Sequence, residues 1–489
     1  MIRTRMAPSP TGEYHIGHIR TLLFNYAYAK KFEGKFIIRI EDTDRKRYVE
    51  GAVPRILDTI KSFGLEWDEG PDIGGPYGPY TQSQRLEIYK KYALELVEKG
   101  CAYYCFCSRE HLDKVRKESL AKREIPKYNR YCRELSLDEA KKRAENEPFV
   151  IRLKVPDNEV LEYEDLVLGK IAINSDNLDD QVLIKTDGFP TYHLAVVVDD
   201  HLMRITDIIR GSEWISSTPK HILLYRYFGW QMPKTAHIPV FLDPLSKGKM
   251  SKRKGSVSAQ SFLDRGYLPE AMLNFLALLG WSPTDGKELF SLENFVKNFD
   301  IKSVNKANPI FDINKLNYFN GYYIRALSDK ELLAKMLNFN PELKKADREK
   351  LAKIVALEKE RLKTLGEFES LTKFFFNDRF NISDRDFVEL LVPKGIGPKD
   401  IISHLRNTSN LLENAELWNL STLKKLEAKL KDKAGELGWE VINVFSPIRV
   451  AVTGSAISPP LFESMEILGK EKTVGRIRNG IKILEKHIF

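Results

Sequence analysis

The first 44 residues lay out a strand, a turn, a helix and a second strand in close succession. The turn APSPTG (residues 7–12) is rich in proline and glycine. Apolar and aromatic residues then recur at helical spacing over residues 19–31, and the β-rich run KFIIRIE (residues 35–41) follows. This order predicts a βαβ unit of a parallel sheet, in which ligands bind at the carboxyl ends of strands. Residues 5–12 and 41–44 fall at such ends.

The motif HIGH (residues 15–18) stands at the predicted start of this helix. A helix start presents free backbone N–H groups and positive partial charge, so we expect this turn to hold phosphate. Far downstream, SKGKMSKRKG (residues 246–255) is a glycine-punctuated lysine loop suited to a triphosphate. Together the two motifs predict a nucleotidyl-transfer site, and the alternative of surface histidines and a solvated lysine run is weaker.

Length and charge limit the class of protein. A chain of 489 residues is too long for one core, so we expect several domains. The formal charge of +9 favours an anionic partner, although 77 basic and 68 acidic residues spread that excess widely. With no apolar run long enough to span a membrane and no export leader at its start, the chain is expected to be cytoplasmic, with no membrane partner.

The α/β rhythm is interrupted and later resumes, which predicts an insertion. It stops near residue 84 and restarts at PTYHLAVVVDDH (residues 190–201). Beyond residue 325 apolar residues recur at helical spacing, with breaks expected at residues 381–386 and at FSP (residues 445–447). The expected domains are the split α/β domain at 1–84 and 191–240, the insertion at 85–190, a segment at 241–325, and helical subdomains at 326–384 and 385–489.

All four cysteines lie in one short stretch of the insertion: Cys101, Cys105, Cys107 and Cys132. That clustering is typical neither of a disulfide framework nor of scattered core thiols. It suggests a metal site. The alternative is a thiol cluster that binds no metal.

The HIGH and KMSKR motifs on an α/β fold resemble those of class I aminoacyl-tRNA synthetases. Flanking stretches resemble the bacterial glutamyl-tRNA synthetases more closely, namely RMAPSPTG (5–12), RIEDTD (39–44), PTYHLA (190–195), IRGSEW (209–214), NPIFD (308–312), RVAVTG (449–454) and LGK (468–470). The resemblance implies a class I Rossmann-type α/β catalytic domain with an inserted acceptor-binding domain, followed by all-α stem-contact and anticodon-binding domains. It also implies a monomer that uses ATP with Mg²⁺, L-glutamate and tRNA(Glu).

Glutamate recognition calls for opposite charges in one pocket. Its two carboxylates and one ammonium require a guanidinium for the side chain and an acid for the amine. The resemblance implies a glutamate site formed by Arg5, Ala7, Ser9, Glu41, Tyr192 and Arg210. Arg5 and Arg210 clamp the side-chain carboxylate, and Glu41 and Tyr192 hold the amino end. Glutamine would leave the arginines without a charge partner, although an isolated Arg at a strand end is more often a surface ion pair.

The resemblance also assigns the residues that bind and activate ATP. These are His15, Gly17, His18, Glu213, Lys249, Met250, Ser251, Lys252 and Arg253. His15 and His18 are expected to stabilise the pentavalent phosphorus, and Lys249 and Lys252 the departing phosphates, as the catalytic residues. In a second step the 2′-hydroxyl of the terminal tRNA adenosine takes the glutamyl group.

Two further assignments come from the resemblance. Cys105, Cys107, Tyr128 and Cys132 resemble a zinc site of the insertion, although some members place His where this chain has Glu134, which leaves the fourth ligand open. Arg361 resembles an arginine that rejects glutamine tRNA; without that check both tRNAs would be charged.

Two other functional classes match part of this pattern. A small-molecule nucleotidyltransferase also uses a His-x-Gly-His turn, but it has no need of a long helical tail. A non-catalytic RNA-binding paralogue should have lost His15, His18 or Lys252, and all three are present.

Overall fold

The structure is a computed structural model that describes residues 1–124, 126–243, 258–377 and 379–488. It divides into two compact units, one formed by Met1–Leu263 and Pro269–Leu316 and the other by Asp264–Leu268 and Asn317–Phe489. The predicted lysine loop at residues 246–255 lies outside the described residues.

The elements of the N-terminal part alternate between strand and helix. In chain order they are β1 (Arg3–Met6), α1 (Ile16–Lys31), β2 (Lys35–Ile38), α2 (Ala52–Ser62), α3 (Leu86–Glu98), β3 (Ala102–Cys105), α4 (Arg109–Ala121), α5 (Leu137–Ala144), β4 (Val150–Leu153), β5 (Val160–Asp165), β6 (Gly169–Asn174), β7 (Val182–Ile184), α6 (Tyr192–Leu202), β8 (Asp207–Gly211), α7 (Thr218–Phe228), β9 (Lys234–Ile238), α8 (Ala259–Asp264), α9 (Pro269–Leu278) and α10 (Leu292–Asn298).

The opening βαβ unit forms as its sequence pattern predicts. β1 and β2 are parallel, with Arg3 opposite Lys35, and α1 connects them. The helix buries Ile19, Leu22 and Ala27 completely. Their spacing of three to five residues places them on one side of the helix, which explains why this segment is helical and not extended. The residues that follow β1 and β2 therefore meet at one sheet edge.

The insertion is joined to the catalytic sheet by one strand. A four-stranded sheet has the order β6-β5-β9-β8, in which β8 and β9 are parallel and β5 and β6 are antiparallel. β5 meets β9 at a single bridge between Asp165 and Thr235. Strands β3, β4 and β7 form a separate antiparallel sheet. Its strand β3 ends at Cys105, which pairs with Val150 of β4.

A single apolar cluster runs from the insertion into the helices that follow it. It includes Leu96 and Leu153 of the insertion together with Leu194 of α6 and Leu223 of α7, all fully buried. Cys101 is half-buried and packs against this cluster. The shared core fixes the insertion to the α6–α7 layer because separating them would expose this apolar surface to water.

The C-terminal part consists of helices. They are α11 (Ile313–Ala326), α12 (Asp329–Phe339), α13 (Arg348–Glu358), α14 (Phe368–Phe376), α15 (Asp384–Leu391), α16 (Pro398–Glu413), α17 (Leu420–Leu437), α18 (Val441–Thr453), α19 (Leu461–Leu468) and α20 (Lys470–Ile488).

Apolar stripes at helical spacing form the core of this second unit. Leu332 and Met336 of α12 are fully buried, and α17 buries Leu423 and Leu430. The break expected at residues 381–386 coincides only in part with the interruption between α14 and α15, because residues 384–386 already form the start of α15. None of the helices within the described ranges is both long and apolar enough to cross a membrane.

The break expected at residues 445–447 is wrong. Pro447 lies inside α18, which continues from Val441 to Thr453. Proline removes one backbone donor and normally interrupts a helix. Here Pro447 and neighbouring Val444 and Ile448 are buried, so tertiary packing of α18 compensates for the missing hydrogen bond.

Candidate active site

A cavity of about 1280 Å³ lies in the first unit, at the edge where β1, β2 and β8 end. It gathers ten of the predicted glutamate-site and ATP-site residues: Arg5, Ala7, Ser9, His15, Gly17, His18, Glu41, Tyr192, Arg210 and Glu213. The remaining five, Lys249, Met250, Ser251, Lys252 and Arg253, lie outside the described residues. The individual roles of all these residues stay predictions.

Backbone and side chain of His15 together cap the start of α1. Its Nδ1 accepts a hydrogen bond from the Gly17 N–H at 2.9 Å, and its carbonyl oxygen accepts from the His18 N–H at 2.8 Å. The expectation that this turn offers free N–H groups is therefore wrong for Gly17 and His18, because a histidine cap satisfies the donors that a helix start usually exposes. Since Nδ1 accepts, the His15 proton is on Nε2.

The geometry around position 17 favours glycine over any residue with a Cβ. A Cβ at this position would lie 3.1 Å from Nδ1 of His15, which is tighter than an ordinary contact. A larger residue would therefore push the imidazole out of its capping position.

The guanidinium of Arg5 is held by Asp200. Arg5 Nε and Nη2 donate to Oδ1 and Oδ2 of Asp200 at 3.0 and 3.2 Å, and Arg39 Nη1 donates to the same Oδ1 at 2.7 Å. Although burial alone would raise it, the pKa of Asp200 is lowered because the guanidinium groups of Arg5 and Arg39 favour its charged form. Arg5 is thus fixed in direction, and a carboxylate that it shares with Arg39 already compensates part of its charge.

Glu41 lies beside this group and has a different environment. Its Oε1 accepts from Arg39 Nη2 at 3.0 Å. Burial raises the pKa of Glu41 despite the nearby guanidinium groups of Arg39 and Arg5. A ligand ammonium beside the carboxylate would favour its ionised form, which agrees with the predicted role in holding an amino group.

Arg210 has only neutral hydrogen-bond partners among the described residues. It donates to the hydroxyl of Tyr192 at 3.0 Å, to Thr218 Oγ1 at 2.8 Å and to His237 Nε2 at 3.0 Å. Tyr192 in turn packs on the ring of Trp214, with centroids 4.4 Å apart. A buried cation without a carboxylate partner is expensive, so this position favours an anionic ligand group.

Sequence reasoning missed the acids and bases behind the cavity wall. Asp199 accepts from Arg85 Nε at 2.8 Å and from the hydroxyl of Tyr89 at 2.7 Å, and it is completely buried. Two adjacent aspartates inside the apolar run LAVVVDDH were the available signal, because a buried acid needs a partner. Val196, also in this run, is buried in the apolar cluster and does not line the cavity.

The predicted metal ligands meet in space. The Sγ atoms of Cys105, Cys107 and Cys132 lie within 4.8 Å of one another. The hydroxyl oxygen of Tyr128 is 3.3 Å from the Sγ atoms of both Cys105 and Cys107. The Glu134 side chain, by contrast, is 87% exposed. Of the two candidates for the fourth ligand, the geometry favours Tyr128.

The charge beside Cys105 favours the thiolate form of this one cysteine, whereas burial raises the pKa of Cys107. The guanidinium of Arg152 lies 4.0 Å from the ring centroid of Tyr128. Burial alone would raise the pKa of Cys105, but hydrogen bonding with Tyr128 and the charge of Arg152 lower it. Three sulfur atoms and one phenol oxygen within this distance of one another fit a tetrahedral zinc ion.

Arg361 lies in the second unit beside a buried acid. Its Nη1 is 3.5 Å from Oε2 of Glu358. Glu358 lies three residues earlier in the chain and is completely buried. Burial raises the pKa of Glu358 to about 7, and the charge of Arg361 opposes that rise. The role of Arg361 in tRNA discrimination stays a prediction.

Comparison with known proteins identifies related families for both parts of the chain. Residues 1–318 match the catalytic domain of class I tRNA synthetases (E and Q), and residues 330–481 match an anticodon binding domain. The predicted α/β catalytic fold with a helical C-terminal part is confirmed.

Similar proteins match over almost the full length of the chain. The glutamate–tRNA ligase of Acinetobacter baumannii (strain AYE) is 44% identical over 484 residues, covering 99% of this chain and 94% of its own. That of Dehalococcoides mccartyi (strain ATCC BAA-2100 / JCM 16839 / KCTC 5957 / BAV1) is 42% identical over 494 residues, covering 99% and 98%. The crystal structure of a glutamate tRNA ligase from Elizabethkingia meningosepticum CCUG26117, in complex with its amino acid, superposes with a TM-score of 0.86 at 34% identity, covering 98% and 99%. This chain belongs to the class I tRNA synthetase family whose members are specific for E and Q.

Proposed function

We propose that this protein is a glutamate–tRNA ligase, which activates L-glutamate with ATP and transfers it to the terminal adenosine of tRNA(Glu). The observation that carries this proposal is the position of Arg210, a buried cation with neutral partners in the cavity that His15 and His18 also line. A carboxylate-bearing substrate would thereby lie next to the residues suited to phosphate. The names of the similar proteins point to the same reaction.

In the first step, an α-carboxylate oxygen of glutamate attacks the α-phosphorus of ATP. The new P–O bond forms as the bond to the β-phosphate oxygen breaks, and the electron pair leaves with pyrophosphate. ATP is used as its Mg²⁺ complex, which neutralises phosphate charge. The protein contributes positioning and charge. His15, through its Nε2–H, and His18 stabilise the pentavalent phosphorus. Lys249 and Lys252 stabilise the leaving phosphates.

Glutamate is oriented by the opposite end of the same cavity. Arg5 and Arg210 take the side-chain carboxylate, and Glu41 and Tyr192 take the ammonium. Because Asp200 already compensates Arg5, Arg210 contributes the larger share of the net attraction. Glutamine would leave that attraction unused and is rejected for this reason.

In the second step, the 2′-hydroxyl of the terminal tRNA adenosine attacks the carbonyl carbon of the mixed anhydride, and AMP leaves. The match of residues 330–481 to an anticodon binding domain supports tRNA as the acceptor and argues against a small-molecule nucleotidyltransferase. Arg361 is the residue we assign to discrimination against glutamine tRNA. Charging of both tRNAs is the second candidate function, and the test below distinguishes it.

We further infer a structural zinc ion bound by Cys105, Cys107, Cys132 and Tyr128. The close approach of these four side chains supports it. The ion would hold the end of β3 to the segment that contains Tyr128 and Cys132, and it takes no part in the chemistry. Cytoplasmic location, a monomeric state and the domain boundaries stay predictions.

Glutamate-dependent exchange of pyrophosphate into ATP tests the proposal. The purified protein is assayed without tRNA, with tRNA(Glu) and with tRNA(Gln), using glutamine in place of glutamate as the control substrate. Exchange or charging with glutamate and tRNA(Glu) is expected. Equal charging of tRNA(Gln) would show the dual function and remove the role of Arg361, and failure with every tRNA would overturn the proposal.

A further inference from the structure

His237 of β9 lies behind the cavity wall and makes no contact with the cavity. It is completely buried and is not among the lining residues, whereas Arg210 is. The two occupy directly paired positions of the parallel strands β8 and β9. Their side chains meet where Arg210 Nε donates to His237 Nε2 at 3.0 Å.

This contact fixes the tautomer of the imidazole. Arginine Nε–H can only donate, so Nε2 of His237 must be the unprotonated acceptor. The proton therefore is on Nδ1, which lies 2.7 Å from Oδ2 of Asp165 and donates to it. Burial lowers the pKa of His237, although the carboxylate of Asp165 opposes this, and the imidazole stays neutral at pH 7.

Asp165 is itself held rigidly at the end of β5. Its Oδ1 accepts from the backbone N–H groups of Val167 and Leu168, both at 3.0 Å. The backbone N–H of His237 also donates to its two carboxylate oxygens, at 3.2 and 3.1 Å. The pKa of Asp165 is lowered because the hydrogen bond from the His237 side chain, together with those from the backbone of Leu168 and His237, outweighs its burial. A fixed anion in the insertion thus faces His237 in the catalytic sheet.

The two arginines that we assign to the side-chain carboxylate of the substrate are oriented in different ways. Arg5 donates directly to the carboxylate of Asp200. Arg210 is separated from the carboxylate of Asp165 by a neutral imidazole. A direct partner compensates the charge of an arginine, but an interposed imidazole orients it and leaves the charge available to a ligand.

We propose that Asp165 and His237 form a positioning pair that orients Arg210 toward the side-chain carboxylate of the substrate and thereby sets the affinity for glutamate. This inference rests on the proposed function. Neither residue touches substrate or the reacting atoms; both act through Arg210.

Two substitutions of His237 separate the contributions of its nitrogens. In His237→Gln the amide oxygen can take the place of Nε2 and accept from Arg210. In His237→Asn the shorter amide can donate to Asp165 near the place of Nδ1, but it cannot reach Arg210. In tRNA-dependent pyrophosphate exchange, we expect His237→Asn to raise the KM for glutamate about 10- to 100-fold and His237→Gln to raise it only about threefold. The KM for ATP should stay within about twofold for both.

A double-variant cycle tests whether His237 acts through Arg210. Arg210→Lys alone removes the donor that His237 accepts from. If the proposal holds, combining it with His237→Asn adds little to the effect of Arg210→Lys on the KM for glutamate. His201→Ala is the matched control, because His201 stacks on Trp230 with centroids 3.7 Å apart and does not line the cavity. Its two KM values should not change.

The outcomes are distinguishable. A wild-type protein without glutamate-dependent exchange would overturn the proposed function itself. With an active wild type, equal effects of His237→Gln and His237→Asn, parallel changes in both KM values, or additive effects with Arg210→Lys would each overturn the positioning role. Should His237→Asn not fold, Asp165→Asn takes its place. An amide at position 165 no longer favours the proton on Nδ1 of His237. Asp165→Asn should therefore raise the KM for glutamate above that of His237→Gln.

Discussion

Asp200 holds Arg5 through both carboxylate oxygens while Oδ1 also accepts from Arg39, so one buried acid orients two guanidinium groups. All three side chains are at least nine-tenths buried. The direction in which Arg5 faces the cavity is therefore decided by a residue on α6 that is 195 positions away in the chain.

Replacing Asp200 with Asn is expected to lower both stability and substrate affinity. Arg5 and Arg39 would remain buried without their shared negative charge, which costs about 3–5 kcal/mol of unfolding free energy. Without that orientation the KM for glutamate should rise about tenfold. Denaturant unfolding and exchange kinetics measure the two effects. The control is Asp207→Asn, whose buried carboxylate accepts from hydroxyl groups of Thr206 and Tyr28; an equal rise in its KM would contradict the argument.

His18→Ala should lower the rate of glutamyl-adenylate formation by about two orders of magnitude or more. The substitution removes a donor that is needed mainly when charge develops at the phosphorus, so kcat falls more than affinity. Single-turnover adenylate formation measures this directly. His487→Ala, an exposed histidine in α20, serves as control. Activity of His18→Ala within a few-fold of the wild type would remove His18 from the mechanism.

Gly17→Ala is expected to weaken ATP binding through His15. The added methyl group would lie 3.1 Å from Nδ1 of His15 and displace the imidazole that caps α1. We expect the KM for ATP to rise about tenfold, the cost of a lost cap and a misplaced ligand. Gly435→Ala in α17 is the matched control, because its Cβ would meet no atom within 4 Å. A KM for ATP that is unchanged in Gly17→Ala would show that the cap has no role in binding.

Cys132→Ser is expected to abolish stoichiometric zinc binding. Cys132 Sγ is 3.6 Å from that of Cys107, and a serine hydroxyl is a much poorer zinc ligand than a thiolate. Elemental analysis of the purified protein should find about one zinc per chain in the wild type and in Cys101→Ser. A zinc content that is equal in Cys132→Ser and Cys101→Ser would rule out this site.

Glu358→Gln should stabilise the second unit at high pH only. Burial raises the pKa of Glu358 to about 7 in the folded protein. Between about pH 4.5 and 7 the unfolded chain ionises while the folded chain keeps its proton, so stability falls as pH rises and is lower by roughly 3 kcal/mol above pH 7. Glutamine resembles the protonated acid and avoids this loss.

Native-state hydrogen exchange of α13 measures this effect on the full chain. At pH 8 the amides of α13 should exchange more slowly in Glu358→Gln than in the wild type, after correction for the intrinsic pH dependence. Below pH 4.5 the two should be equal. Glu342→Gln, at an exposed site, is the control. Equal protection of wild type and Glu358→Gln at pH 8 would contradict the prediction.

Local sequence patterns predicted the α/β and helical parts of the fold, and the family resemblance supplied most residues of the candidate site. The turn after β1, the HIGH motif and the residues after β2 act over short distances in the chain, and a parallel βαβ unit brings strand ends together wherever it forms. The helical spacing of Leu332 and Met336 likewise identified a buried face without further information.

Only the tertiary structure decided the contacts between residues that lie far apart in the chain. Asp200 beside Arg5, and Asp165 beside His237, depend on packing of α6 and pairing of β5 with β9. Pro447 within α18 shows the same dependence, because tertiary packing outweighed a local helix-breaking preference. The sequence and its family resemblance indicated residues that line the cavity. Burial and strand pairing determined which partners orient them, since a charge is held by the acid or base that the fold places beside it.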